Sequence, residues 1–303
     1  MTTQTQNTTN APTVLLIGAT GSLGELIARE LLQRGAQLRL LVRPKSRGKL
    51  AEDVARAAEV LDDAEGAFEG VGTVVSAVQG SPSTIVDAQL EWLRAAREAG
   101  VRRFIPSDYS MNFFGLDQGD NIPSDHRREF ARRAEDERGD VEIVHVLNGA
   151  FLDRKVLFGF LGAIDLDKDE AYLWGDGDQK MGMTTYADTA AYIAEAALDE
   201  RPVPEHLFVA AEEPTFHELV AETEAGLGRK LTVKTMGSLS DLDDEIARRQ
   251  QENEDMYSYI PLMYWRAMLS GKGKLGELSN SRYPSVQPIG VREYAQLMAA
   301  GQA

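Results

Sequence analysis

The chain has 303 residues, a formal net charge of −16, 43% hydrophobic and 26% charged residues, and no cysteine. A chain this long buries a sizeable core, and its composition is that of an ordinary globular protein. The missing thiols exclude disulfides, thiol catalysis and cysteine metal sites. The acidic balance argues against nucleic acid as a partner, and no apolar run is long enough to cross a bilayer.

Residues 1–11 are rich in Thr, Gln and Asn and lack the charged and apolar regions of a signal peptide. They read as a disordered tail, which points to a cytoplasmic protein. Val14 to Ile17 then form an apolar run of strand character, followed by Gly18, Gly21 and Gly24 and a stretch from Glu25 to Leu32 at helical spacing. Strand, glycine turn and helix in that order make a dinucleotide-binding fingerprint, with the pyrophosphate at the helix N-terminus. The turn assigns Gly18, Thr20, Gly21, Ser22, Leu23 and Gly24 to a cofactor. Strand Gln37 to Val42 ends at Arg43-Pro44-Lys45, where an acidic residue would bind the ribose of NAD. Arg43 and Lys45 suit a 2′-phosphate instead, because a guanidinium grips phosphate oxygens with parallel hydrogen bonds. NADP is the expected cofactor.

Helical patterns over 48–58, 84–99 and 125–137 alternate with strand patterns ending at Leu61 and over 71–78, 101–105 and 141–147. Such alternation implies an α/β fold with a doubly wound, Rossmann-type parallel sheet. Its ligand lies at the carboxyl ends of the strands, which adds Ser76, Ala77, Val78, Gln79 and Ser107 to the cofactor site. Residues 12–150 form the expected dinucleotide-binding domain, with 183–210 packing back on it. Residues 151–182 and 211–303, which include Tyr257, Tyr264 and Trp265, form a smaller substrate-binding region.

The chain resembles the NmrA-like branch of atypical short-chain dehydrogenases, and within it the isoflavone-reductase-like aromatic reductases. The stretches that carry the resemblance are Gly18-Ala19-Thr20-Gly21, Ala99 to Tyr109, Asn148-Gly149-Ala150-Phe151, Gly175-Asp176-Gly177 with Lys180, and Asn280 to Pro284 followed by Val291 to Tyr294. It implies an NADPH-dependent oxidoreductase acting on a small apolar, aromatic carbonyl or enone compound, and it adds Asn148 and Phe151 to the cofactor contacts. The alternative is a non-catalytic NADP(H) sensor of NmrA type that acts through a protein partner.

The family carries a catalytic lysine in the helix before the sixth strand. Counting back from Gly139 places Arg128 at that position, and no lysine occurs between Lys49 and Lys155. An arginine stays charged and is a poor general acid, although it can stabilise an oxyanion. No tyrosine has a lysine four residues later, so the usual Tyr-x-x-x-Lys pair of short-chain dehydrogenases is also absent. Arg128, His126 and Tyr109 are the candidate catalytic residues, with Lys155 a further proton source. No metal, membrane or nucleic acid is expected, and monomer and homodimer both remain open.

Overall fold

The computed structural model describes residues 12–252 and 255–302; the expected tail over 1–11 lies outside the described residues. The first half runs β1 (Thr13–Ile17), α1 (Ser22–Gln33), β2 (Gln37–Leu41), α2 (Glu52–Ala57), β3 (Glu59–Leu61), β4 (Thr73–Ser76), α3 (Gln89–Glu98), β5 (Arg103–Ile105), α4 (Ile122–Glu137), β6 (Glu142–Ile143) and β7 (His145–Leu147). Strands β1 to β6 form one parallel sheet in the order β3-β2-β1-β4-β5-β6. The order reverses between β1 and β4, which opens a crevice above their carboxyl ends.

Successive residues of β1 feed opposite faces of the sheet. Val14 and Leu16 pack with Ile27 and Leu31 of α1, and Leu15 with Leu90 and Leu93 of α3 and Phe130 of α4; all are fully buried. Both faces are therefore covered by helices, as a parallel sheet requires. Helix α4 begins earlier than the charge pattern suggests, because the Asn121 side chain accepts the Ser124 amide at 3.0 Å and Pro123 occupies the first turn.

The expected strand over 141–147 is split by a change of partner. Glu142 and Ile143 pair with β5, whereas His145 to Leu147 pair with β12 (His206–Phe208), which extends the parallel arrangement beyond β6. Between them run β8 (Ala150–Phe151), β9 (Ile164–Asp165), β10 (Glu170–Trp174), β11 (Met183–Thr184) and α5 (Tyr186–Leu198). Helix α5 is capped by Thr185, whose hydroxyl accepts the Asp188 amide at 3.0 Å, and it buries Ala190, Tyr192, Ile193 and Ala194 in the core beneath α1.

The remaining elements are α6 (Phe216–Leu227), β13 (Thr232–Gly237), α7 (Leu239–Glu252), α8 (Ile260–Leu269) and α9 (Val291–Ala299). They build a second core with 150–183 around Leu157, Ile164, Met183, Leu219, Trp265 and Ala295. Trp265 is structural: its indole N–H donates to the Leu161 carbonyl at 2.8 Å and the ring is buried. Tyr257 is exposed on the surface.

Candidate active site

A cleft of about 630 Å³ lies over the point where the strand order reverses. Its floor is the turn from Gly18 to Gly24. The three glycines do different work there. An added Cβ at Gly18, where φ is +101°, would lie 2.3 Å from the Ala77 carbonyl oxygen, and one at Gly24 would lie 2.1 Å from that of Gly18. Both glycines are required by the chain's own packing. A Cβ at Gly21 would meet only the Gly18 carbonyl oxygen, at 3.6 Å, so this position is open to a ligand. Gly21 is also the N-cap of α1, and no side chain caps the helix. Its first amides are left for an anion, and the turn fits a dinucleotide pyrophosphate.

Beyond β2 the chain forms a 3₁₀ turn over Pro44–Lys49. In such a turn, residues three apart share a face, so Arg43, Ser46 and Lys49 line the cleft together. Lys45 is carried outward and does not line it. The 2′-phosphate reading therefore keeps Arg43, loses Lys45 and gains Lys49. Asp62 and Asp63, after β3, lie at the same end.

At the opposite side, Ala77, Val78, Gln79, Ser107 and Tyr109 line the cleft. Ser76 does not; it is buried with its carbonyl accepting the Tyr109 hydroxyl at 2.7 Å. The Ser107 hydroxyl donates to the Val78 carbonyl at 2.6 Å, and its amide donates to Gln89 Oε1 at 2.9 Å. Asp108 between them is buried against His145 Nδ1, and the His145 ring stands edge-on to Phe114. The Ser-Asp-Tyr segment thus staples the end of β5 to the end of β4. Burial first, and then the neighbouring Asp108 charge, push the Tyr109 phenol well above its usual pKa. With its proton committed to Ser76, Tyr109 shapes the wall and is a poor donor to a substrate.

The helix before the sixth strand presents a different arginine from the one expected. Arg128 turns to the loop below it, donating to the Leu116 carbonyl and the Asp125 carboxylate, and does not line the cleft. Arg127 does line it. Helical phase explains the difference: Ser124, Phe130 and Ala134 are buried, and Arg127 lies three residues from both Ser124 and Phe130, on the stripe facing the sheet. His126 and the exposed Lys155 lie outside the cleft lining.

Asn148 is fully buried behind the cleft, its carbonyl accepting the Thr184 hydroxyl at 2.7 Å. Phe151 lines the cleft and stacks on Tyr186, with ring centroids 4.2 Å apart and planes 20° apart. Tyr186 was not legible in the sequence, because it stands one residue after a helix cap with no motif around it. Burial first, and then the Asp153 charge, raise the Tyr186 pKa, so its phenol keeps its proton at neutral pH. No protein acceptor for that phenol occurs among the described residues.

The NAD(P)H-binding family model matches residues 18–200. An isoflavone reductase of Pisum sativum is 22% identical over 295 residues, covering 85% of this chain and 87% of its own length. Pinoresinol reductase 2 of Arabidopsis thaliana is 24% identical over 322 residues, covering 94% and 96%. Among solved structures, AtPrR2 with NADP+ and (+)pinoresinol superposes with a TM-score of 0.78 at 23% identity, over 95% of this chain and 98% of that one. The glycine turn at the strand-order reversal, the uncapped α1 and the extent of the family match together place this chain in the NAD(P)H-binding family, with the fold of the isoflavone-reductase-like proteins.

Proposed function

We propose that the protein is an NADPH-dependent reductase of a small, apolar, aromatic carbonyl or enone compound. The observation that carries this reading is the joining, in one cleft, of the open Gly21 turn, the Arg43–Lys49 face and the stacked Phe151–Tyr186 wall. Relatives named isoflavone reductase and pinoresinol reductase support it. Gly21 and the amides of α1 would hold the pyrophosphate, and Arg43 with Lys49 the 2′-phosphate. NADPH supplies the hydride when bound. The chain's part is to orient it, to offer an aromatic surface for stacking, and to deliver a proton. In this reading Tyr186 is the proton donor: its phenol lines the cleft and stays protonated at neutral pH.

The test is NADPH oxidation by purified protein against quinones, enones and aromatic ketones, with cofactor binding measured in parallel. Turnover of at least one class is expected. A bound cofactor and silence across the panel would favour the non-catalytic sensor, which the arginine in place of the family lysine also motivates. The sensor reading predicts capture of a protein partner that depends on NADP(H).

A further inference from the structure

Helix α4 carries arginines at 127, 128, 132 and 133. Arg128 pairs with Asp125, Arg132 with Glu129 at 2.9 Å and Arg133 with Asp87 at 3.2 Å. Arg127 has no carboxylate within ion-pair distance among the described residues, although the chain has 48 acidic residues against 32 basic ones. Its Nη1 donates to the Pro123 carbonyl at 3.0 Å, while Nε is buried and has no acceptor. Nη2 likewise finds no protein acceptor among the described residues. Nε is enclosed by the protein, so Nη2 is the donor left to a ligand, and a charged N–H donor of this kind suits a carboxylate oxygen. This unpaired guanidinium belongs to a side chain that lines the cleft.

We infer that Arg127 is the receptor for a carboxylate on the substrate, which makes the substrate class aromatic or enone acids. The inference rests on the reductase reading for the word substrate. The phosphates of the cofactor have their own partners elsewhere. The pyrophosphate meets the Gly21 turn after β1, and the 2′-phosphate meets Arg43 and Lys49 after β2. In the order β3-β2-β1-β4-β5-β6, α4 follows β5 and stands on the other side of the reversal point from β2. The Ser107–Tyr109 wall follows β5, and Arg127 lines the cleft from the sheet face covered by α3 and α4, across from the Phe151–Tyr186 pair on the face covered by α1 and α5. A substrate anchored there by its acid group would present its ring to Phe151 and Tyr186.

The probes are trans-cinnamate and its neutral methyl ester, titrated by calorimetry into protein saturated with NADP+, for the wild type, Arg127→Gln and Arg127→Lys. The wild type should bind cinnamate at least tenfold more tightly than the ester. Arg127→Gln should abolish that preference, and Arg127→Lys, which keeps the charge but loses the Nη2 donor, should retain less than a third of it. NADP+ affinity should stay within twofold in both variants, and unfolding midpoints near the wild-type value confirm that they fold. No preference in the wild type, or a preference unchanged in Arg127→Gln, overturns the inference. So does a tenfold loss of NADP+ affinity with the preference intact, which would assign the guanidinium to a cofactor phosphate. Cinnamate preference with no NADPH turnover on any compound would fail the reductase reading and leave the carboxylate receptor standing.

Discussion

Arg43→Ala is the sharpest test of the cofactor reading. Arg43 lines the cleft from the end of β2, and no carboxylate pairs with it among the described residues, so its guanidinium is free for a phosphate. Hydrogen bonds to a charged group contribute about 1.5–3 kcal/mol each way they are measured, and Arg43 is exposed, which favours the lower half of that range by screening. At 1.4 kcal/mol per factor of ten, the expected loss in NADP+ affinity is about tenfold to thirtyfold. NAD+ lacks the 2′-phosphate and should lose less than threefold. Lys49 shares the face and should hold part of the binding, so Lys49→Ala is expected to cost less than Arg43→Ala. The assay is calorimetric titration of both nucleotides at two salt concentrations; the NADP+ loss should shrink as salt rises. Equal losses for NADP+ and NAD+ would show that Arg43 does not read the 2′-phosphate.

Tyr186→Phe should lower kcat by about a hundredfold or more, the range for a lost general acid, while NADP+ binds as before; unchanged kcat would remove Tyr186 as the donor. Because burial raises that phenol above the ordinary tyrosine value of about 10, the donor is protonated throughout neutral pH. The alkaline fall in kcat should therefore lie above pH 10, and a fall centred near 7 would point to a different acid. Gly18→Ala should destabilise the fold by about 2 kcal/mol or more, since overpacking and a left-handed backbone each cost about 1–3 kcal/mol. Gly21→Ala should cost under about 1 kcal/mol in urea unfolding but weaken NADP+ binding. Arg103→Met should cost about 3–5 kcal/mol. Arg103 is fully buried, its Nε donating to Glu142 at 2.6 Å and its Nη groups to the carbonyls of Ala196, Asp199 and Arg201. A loss below 1 kcal/mol would show that this clamp between β5 and the end of α5 is replaceable.

The parts of the fold visible in the sequence are those in which local pattern and tertiary role coincide. β1 is apolar because both faces of the sheet are covered, and the glycine turn follows because the chain must pass close to Ala77. What the sequence hid depends on phase and on long-range pairing. Lys45 and Lys49 are equivalent as residues near a strand end; only the 3₁₀ turn, with its three-residue repeat, separates them. Arg127 and Arg128 are neighbours, and only the phase of the helix separates a cleft residue from a loop anchor. The burial stripe of Ser124, Phe130 and Ala134 carried the missing signal. Asp108 and His145 are separated by 37 residues, and nothing local announces that they meet.

These corrections change what the cleft must do. The Ser107–Tyr109 segment resembles part of an active site, yet its hydroxyls are spent on Val78 and Ser76, so it fixes the shape of the wall. Under the proposed function, proton delivery would pass to the Phe151–Tyr186 side, where a phenol has no competing partner among the described residues. Arg127, which lines the same cleft, cannot share that role, because a guanidinium does not give up its proton in neutral water. Under the proposed function, binding and proton transfer would fall to two residues, Arg127 as a fixed cation and Tyr186 as a neutral acid. A substrate with its own negative charge suits that division better than a neutral one, since the cation would otherwise face the cleft without a counter-ion.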